Sequence, residues 1–539
     1  MTHSSSSFRC IAVAACSLVL FTTACSGESD DRSLANGPDT TLLAPAADGS
    51  IVVSVDGIST PFDRRLLGTN APAWISPDRL VDPNFHKEIV DLGATVLRMP
   101  GGSWSSEYDW LACEQHVGCP WSWAARPSDF VELLTGTGLE GMWTVSFNGT
   151  AEEAAALVAF FNGDVDDTKV IGVDRRGRDW ETVGRWATMR ADAGHPEPVR
   201  VDLWEIGNEI FGARPEAGSD CADYGWEMVW TCDGAEYISG DDEHDGFLRF
   251  REEMLAVDPN IEIGAVGIGG PQDGWGDFGN EVIEGTAGQL DFYVVHDYGF
   301  DQTAPVDEVL ARPSDDWPDN LDDAVAELRD WNTGAAVPIA VTEYNMYSFH
   351  DGDTEGMMAE AISAFYIADT IGQMALNGAG IANQWNLVNG MTESGSDYGI
   401  FDADSGAAHP SFYAMALWSR FADAFVPVAV AADLDSALQV YAGRSADGHI
   451  TLLVLNSTDQ ATKSRIDLQG LVGPLAGTAQ VMSAESLAAR EVRFNGVAPT
   501  STNLDDYPPT DIGPVDAGQL SYTFESFSLT LLTLASRGV

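Results

Sequence analysis

Eight short apolar runs, separated by longer segments with helical patterning, constrain this chain more than any other feature. The runs are RRLLGTN (64–70), TVLRMP (95–100), EGMWTVSFN (140–148), VDLWEIGNE (201–209), IEIGAVG (261–267), DFYVVHDY (291–298), PIAVTEYN (338–345) and GIANQWNL (380–387). Their apolar residues are continuous, not alternating, which is the pattern of parallel strands buried on both faces. The segments between them carry helix signals. Thr150 with Glu153 three residues on forms a capping box, AEEAAALVAFF has high helix propensity, and Gly163 closes it. Ile367, Ile371 and Met374 recur at helical spacing, with Gly378 as the C-cap. Strand–helix alternation repeated eight times predicts an α/β fold, a (β/α)8 TIM barrel. A doubly wound open sheet is the rival, but the Gly-rich phosphate loop expected after its first strand is not evident in the sequence.

The pattern changes after Ala424. SALQVYAGR, HITLLVLNS, GTAQVMSA, REVRFNG and SYTFESFSLTLLTL read as strands with turn residues between them. They predict a C-terminal β-sandwich over 425–539, following a barrel over 50–424. The early IVVSV run can join that sandwich. Residues 495–517 are too rich in proline for regular structure and read as a long loop. A length of 539 residues with 45% hydrophobic content supports a large core and a second, smaller domain.

The first 25 residues read as an export signal. Arg9 precedes a short apolar run, CIAVAACSLVLF, which ends in TTAC followed by Ser26 and Gly27. This is similar to a bacterial lipobox, with Cys25 as the lipidated residue. Thr22 replaces the usual Leu, and plain secretion is the alternative. Residues 26–49, polar and punctuated by Pro and Gly, read as a flexible tether. The expected location is extracellular, held to the cell membrane by N-terminal lipid alone. Of seven cysteines, Cys10 and Cys16 leave with the signal and Cys25 takes lipid. The remaining four have three possible pairings, of which Cys113–Cys119 with Cys221–Cys232 is the simplest. Their gaps are longer than a zinc-binding CxxC.

There are 27 basic and 83 acidic residues, a net charge of −56. Nucleic acid and anionic membrane surfaces are therefore poor partners. The lysines are Lys87, Lys169 and Lys463. A saline habitat and a bias for Arg over Lys both account for this, and neither bears on mechanism. Oligomeric state is not legible.

In a barrel of this kind the active site lies at the C-terminal strand ends. The polar residues there are Asn70, Arg98, Asn148, Asn208 and Glu209, His296 and Tyr298, Glu343 and Asn345, Trp385 and Asn386. Two carboxylates across the mouth, Glu209 on strand four and Glu343 on strand seven, suit glycoside hydrolysis by a general acid/base and a nucleophile. Arg98 is expected to keep Glu343 ionised, and the nearby negative charge to raise Glu209. Asn208 is placed to grip the sugar 2-OH, and Asn148, His296 and Tyr298 to contact substrate. Trp385 serves as a sugar platform, while Trp104 and Trp143 read as core. Glu205, four residues before Glu209, points into the barrel body and is not a catalyst. This chemistry calls for no metal and no organic cofactor.

WEIGNE followed by VTEYN resembles clan A of the glycoside hydrolases, whose acid/base ends strand four and whose nucleophile ends strand seven. LRMPGGSWSSEYDW, SFNGTAEEAAALVAFFNG and RADAGHPEPVRVDLWEIGNEIFG resemble segments of the family 51 α-L-arabinofuranosidases. The resemblance spans about residues 60–425 and implies a retaining enzyme that removes arabinofuranosyl groups from plant or algal polysaccharide. It departs at TEYN, where the family tends to have DEWN, and at the unfamiliar insertion CEQHVGCPWSW. The alternatives are a β-glycanase, endo- or exo-acting, or a uronic-acid hydrolase of the same clan, and a non-catalytic carbohydrate-binding lipoprotein.

Overall fold

Each of the eight apolar runs supplies one strand of a closed parallel barrel. The strands are Gly68–Asn70, Val96–Met99, Glu140–Val145, Val201–Ile206, Glu262–Val266, Phe292–Phe300, Ile339–Tyr347 and Ala379–Gln384. They pair in chain order, and the eighth closes on the first. This computed structural model describes residues 43, 45–214, 221, 225–269, 275, 277–331, 337–471, 475–515 and 518–536. The expected signal, Cys25 and most of the tether lie outside the described residues.

The helices form where the sequence signals place them. Ala151–Asn162 begins at Thr150, whose side chain accepts from the Glu153 N–H, and ends at Gly163. Its buried face carries Leu157, Val158, Phe160 and Phe161. Ala361–Leu376 is buried almost throughout and is capped by Asn377. Gly378 follows at φ +103°, a left-handed turn that glycine makes at little cost.

The sandwich uses both ends of the chain. Ser50–Ser54, the IVVSV region, pairs in parallel with Thr462–Gln469 and antiparallel with Val428–Val430, and Gln519–Phe524 completes that sheet. The second sheet contains Leu438–Arg444, Ile450–Asn456, Leu475–Ala484, Val492–Phe494 and Ser528–Ser536. Both of its faces are covered. Leu452, Val454 and Leu532 pack into the sandwich core. Leu453, Leu455, Leu529 and Leu531 belong to the same core as the barrel helices. That is why these strands read as unbroken apolar runs.

One expectation is overturned here. The Pro-rich stretch 495–517 is not wholly loop, since Thr510–Val515 is a strand paired with Leu475–Ala484. Pro514 sits opposite Ala476 where this strand flanks the main order of the sheet, a position where a missing N–H is tolerated.

Candidate active site

Arg98, at the end of barrel strand two, organises the floor of the barrel mouth. It is fully buried, and its fork is held by four side chains on or just past three other strands. Nε donates to Glu205 at 2.6 Å, and Nη1 to Glu343 at 2.8 Å and to Asn70 at 2.8 Å. Nη2 donates to Asn208 at 2.7 Å. A planar, permanently charged group with five donors can serve all four partners at once, which a lysine cannot. Burial opposes its charge, but Glu205 and Glu343 more than offset that and raise its pKa.

Glu205 lies in the barrel body as the sequence placed it. Burial pushes its carboxyl up, while Arg98 and His296 pull it down, to about 2. Thr144 and Thr342 donate to it at 3.2 and 3.1 Å.

The two strand-end carboxylates meet above this floor. Glu343 accepts from Arg98 on one oxygen and from the Tyr298 hydroxyl on the other, at 2.7 Å. Glu209 accepts from His296 Nδ1 at 2.8 Å and from the Trp226 indole N–H. An oxygen of Glu209 and an oxygen of Glu343 lie within 4.8 Å of each other. Glu209 is held at φ +40°, ψ +45°, a left-handed conformation that costs a non-glycine residue about 1–3 kcal/mol and tends to persist where the surroundings enforce it.

The expectation that Glu209 would be raised does not hold. Burial does push it up, but hydrogen bonds and charge from His296, then Trp226 and Arg98, outweigh burial and lower it. The proton resides on His296. Burial opposes that charge, but Glu343, Glu205 and Glu209 lift the imidazole to about 10. Its Nε2 bonds Thr342 Oγ1 at 2.9 Å, and Thr342 donates onward to Glu205.

A cavity of about 640 Å³ opens over these groups, lined by Glu209, Glu343, His296, Tyr298 and Trp385. Gly102, at φ +65°, permits the close approach of Trp385, because a Cβ there would fall 2.3 Å from the indole. Arg98 and Asn208 lie beneath the cavity rather than along it. Asn208 is committed, its oxygen to Arg98 and its amide N–H to Glu227 at 2.8 Å, so the expected grip on a sugar hydroxyl is not made by this rotamer. Asn148 is also off the cavity. Its amide ties the Ser106 and Met228 carbonyls together at 2.9 and 2.5 Å, bridging two loops. Trp143 is core, but Trp104 is 42% exposed and corrects the core reading.

The residues that sequence reasoning missed are Phe211, Trp226, Trp275 and Tyr398 on the cavity wall, and Glu227 behind it. Glu227 is fully buried against Asn208 and Ser106, and burial together with the Glu209 charge pushes its carboxyl up to about 8. The available signal was the Cys221–Cys232 pair, which brackets Trp226 and Glu227. That disulfide and Cys113–Cys119 are both formed.

Glu209, His296 and Glu343 are close enough to chelate an ion. An ion there would have to displace the proton from His296 to gain its lone pair. Asp397, Asp402 and His409 form a second, buried trio in which His409 Nε2 meets Asp397 at 3.1 Å and Asp402 accepts from the Ser405 N–H at 2.6 Å.

No protein-family model matches the chain. A probable α-L-arabinofuranosidase C of Aspergillus fumigatus is 27% identical over 153 residues, 25% of this chain and 26% of that protein. An exo-α-(1→6)-L-arabinofuranosidase of Bifidobacterium longum is 24% identical over 246 residues, 42% of this chain and 40% of that protein. The chain thus matches only a quarter to two-fifths of the length of these curated relatives. Among solved structures, the family 51 α-L-arabinofuranosidase of Thermotoga petrophila aligns with TM-score 0.65 at 18% identity, over 90% of this chain and 99% of that one. A family 44 xyloglucanase of Paenibacillus polymyxa aligns with TM-score 0.57 at 12% identity, over 90% and 99%. At such identities the structural likeness establishes the fold, a TIM barrel with an added β-sandwich. In part of its sequence, and in fold across nine-tenths of its length, the chain is like the family 51 α-L-arabinofuranosidases of glycoside hydrolase clan A.

Proposed function

We propose that this chain is an exported retaining glycoside hydrolase that releases α-L-arabinofuranosyl groups from a plant or algal polysaccharide. The carrying observation is the approach of the Glu209 and Glu343 carboxylates to within 4.8 Å. So close an approach supports a double displacement, where the carboxyls sit about 5–5.5 Å apart, over an inverting pair, which leaves about 6.5–9.5 Å for a water.

Glu343, fixed by Arg98 and Tyr298, attacks the anomeric carbon as the bond to the aglycone oxygen breaks. A proton passes from the Glu209–His296 pair to that oxygen, leaving the sugar esterified to Glu343. Glu209 then takes a proton from water as its oxygen displaces Glu343, and this returns to the pair the proton it gave up. The curated relatives named as arabinofuranosidases support the choice of sugar. A β-glycanase of the same clan is the second reading, favoured by the xyloglucanase of like fold.

The test is azide rescue on an aryl α-L-arabinofuranoside. Azide should restore turnover of Glu343→Gly with inverted glycosyl azide as product, and of Glu209→Gly with the retained anomer. Near wild-type rates in both variants without azide would overturn the assignment, and oligosaccharide products with no free arabinose would favour the glycanase. Lipid anchoring at Cys25 is part of the proposal. Cys25→Ser should move the protein from the membrane fraction to the medium, and an unchanged distribution would refute it.

A further inference from the structure

The insertion CEQHVGCPWSW ends in two tryptophans that pack with a third outside the cavity. Trp121 and Trp123 are stacked, with ring centroids 5.5 Å apart and planes 23° apart. Trp104 stands edge-on to both, at 4.9 and 5.5 Å. Trp104 is 42% exposed and Trp123 is 43% exposed, so two large indoles share one surface patch. A soluble surface has no folding reason to gather them there.

The patch is built and held. The Cys113–Cys119 disulfide closes the loop behind it. Asp109 caps the short helix Trp110–Gln115 by accepting from the Ala112 N–H at 2.8 Å. Just past Trp123, the Ala125 N–H donates to the Ala73 carbonyl at 2.8 Å, and the Tyr108 hydroxyl donates to the Ala125 carbonyl at 2.5 Å. On the other side, Ser103 lines the cavity that holds Glu209 and Glu343, and Trp104 is the next residue. Consecutive Cα atoms lie about 3.8 Å apart, so the indole patch begins where the cavity ends.

We infer that Trp104, Trp121 and Trp123 form a platform on which a neutral glycan chain lies while one of its side groups occupies the cavity. Indole presents a flat apolar face with a polar N–H at its edge, which suits a sugar ring with C–H bonds on its faces and hydroxyls at its rim. A net charge of −56 opposes an anionic chain. Because the loop is pinned, binding costs little ordering of the protein. The inference rests on the glycosidase reading for what fills the cavity, and it makes the preferred substrate polymeric.

The test compares Trp104→Ala and Trp123→Ala with wild type on soluble arabinoxylan, on arabinan and on 4-nitrophenyl α-L-arabinofuranoside, whose single-ring aglycone offers no glycan chain to lie along the patch. Each variant should lose about tenfold in kcat/KM on a polymer, equivalent to about 1.4 kcal/mol, and less than about twofold on the aryl glycoside. Trp104→Phe should recover part of the polymer rate. Retardation of the wild-type protein in native gels containing either polymer, and its loss in the variants, reads the platform without turnover. It therefore separates failure of the platform from failure of the glycosidase reading. Equal losses on polymer and aryl glycoside, or unchanged polymer kinetics and retardation in both variants, would overturn the inference.

Discussion

Arg98 Nη1 and Glu343 Oε1 lie 2.8 Å apart in a site where the guanidinium has no exposure and the carboxylate almost none. A buried pair of this kind is costly to assemble and costlier to break, because removing one partner strands the other charge. Here the same guanidinium also bonds Glu205, so two carboxylates share one cation.

Arg98→Lys tests that dependence. An ammonium cannot reach Glu205, Glu343, Asn70 and Asn208 together. The variant should lose about 3–5 kcal/mol of stability, read by denaturant unfolding, and about 10²-fold or more in kcat/KM. Wild-type stability with lysine would mean that the four-way fork is dispensable.

His296→Asn tests where the proton resides. In the wild type the Glu209–His296 pair holds a proton until the imidazole deprotonates near pH 10. The alkaline limb of kcat/KM should therefore lie well above neutrality. Without the imidazole, Glu209 must carry the proton alone, and the limb should move to lower pH, with a loss of about 10²-fold at pH 8. Stability follows the same sign. A group raised in the folded state stabilises fully below its unfolded value, about 6.5, and loses that contribution as pH rises through about 10. The fall of Tm over that window should be shallower in the variant, and an unmoved alkaline limb would refute the pairing.

The barrel was legible in the sequence because its strands are buried on both faces, so apolar continuity alone marks them. The two carboxylates were legible because strand-end position fixes which residues face the mouth. The ionisation of Glu209 was not, since it depends on a histidine 87 residues away whose reach is set by tertiary packing. Nor was the commitment of Asn208 to Glu227, a carboxyl 19 residues further along the chain that tertiary packing brings beside it. The strand Thr510–Val515 was hidden by local proline content, because a flanking position relaxes the rule that excludes proline from sheets.

Glu227→Gln tests the buried neutral carboxyl. Its folded value of about 8 lies above the ordinary 4.5, so its favourable contribution is complete below about 4.5 and declines as pH rises towards 8. Glutamine cannot ionise and keeps an acceptor for Asn208. The variant should gain Tm relative to wild type as pH is raised, by about 1–3 °C between pH 5 and 9. A constant offset across that range would show that Glu227 does not titrate there.

The Cys221–Cys232 disulfide should matter more to catalysis than to folding. It spans 11 residues, and on the chain-entropy account a ring that short contributes roughly 2–3 kcal/mol, modest against a core this large. Its segment nonetheless supplies two contacts around the strand-end carboxylates: the Trp226 indole donates to Glu209, and Glu227 anchors Asn208. Loosening the segment leaves Glu209 with His296 as its remaining hydrogen-bond donor and relaxes the neighbour that holds the Arg98 fork. A misplacement of about 1 Å at a reacting group can cost about 10²-fold in rate. Cys221→Ser with Cys232→Ser should therefore lower kcat/KM on the aryl glycoside by about tenfold or more, while the far-UV spectrum stays native and Tm falls by a few degrees. Cys113→Ser with Cys119→Ser, which loosens the indole patch and touches neither carboxylate, should spare the aryl glycoside and weaken turnover of the polymer. The two double variants thus separate the cavity from its surroundings. Equal effects of both on both substrates would show that the disulfides act on global stability alone.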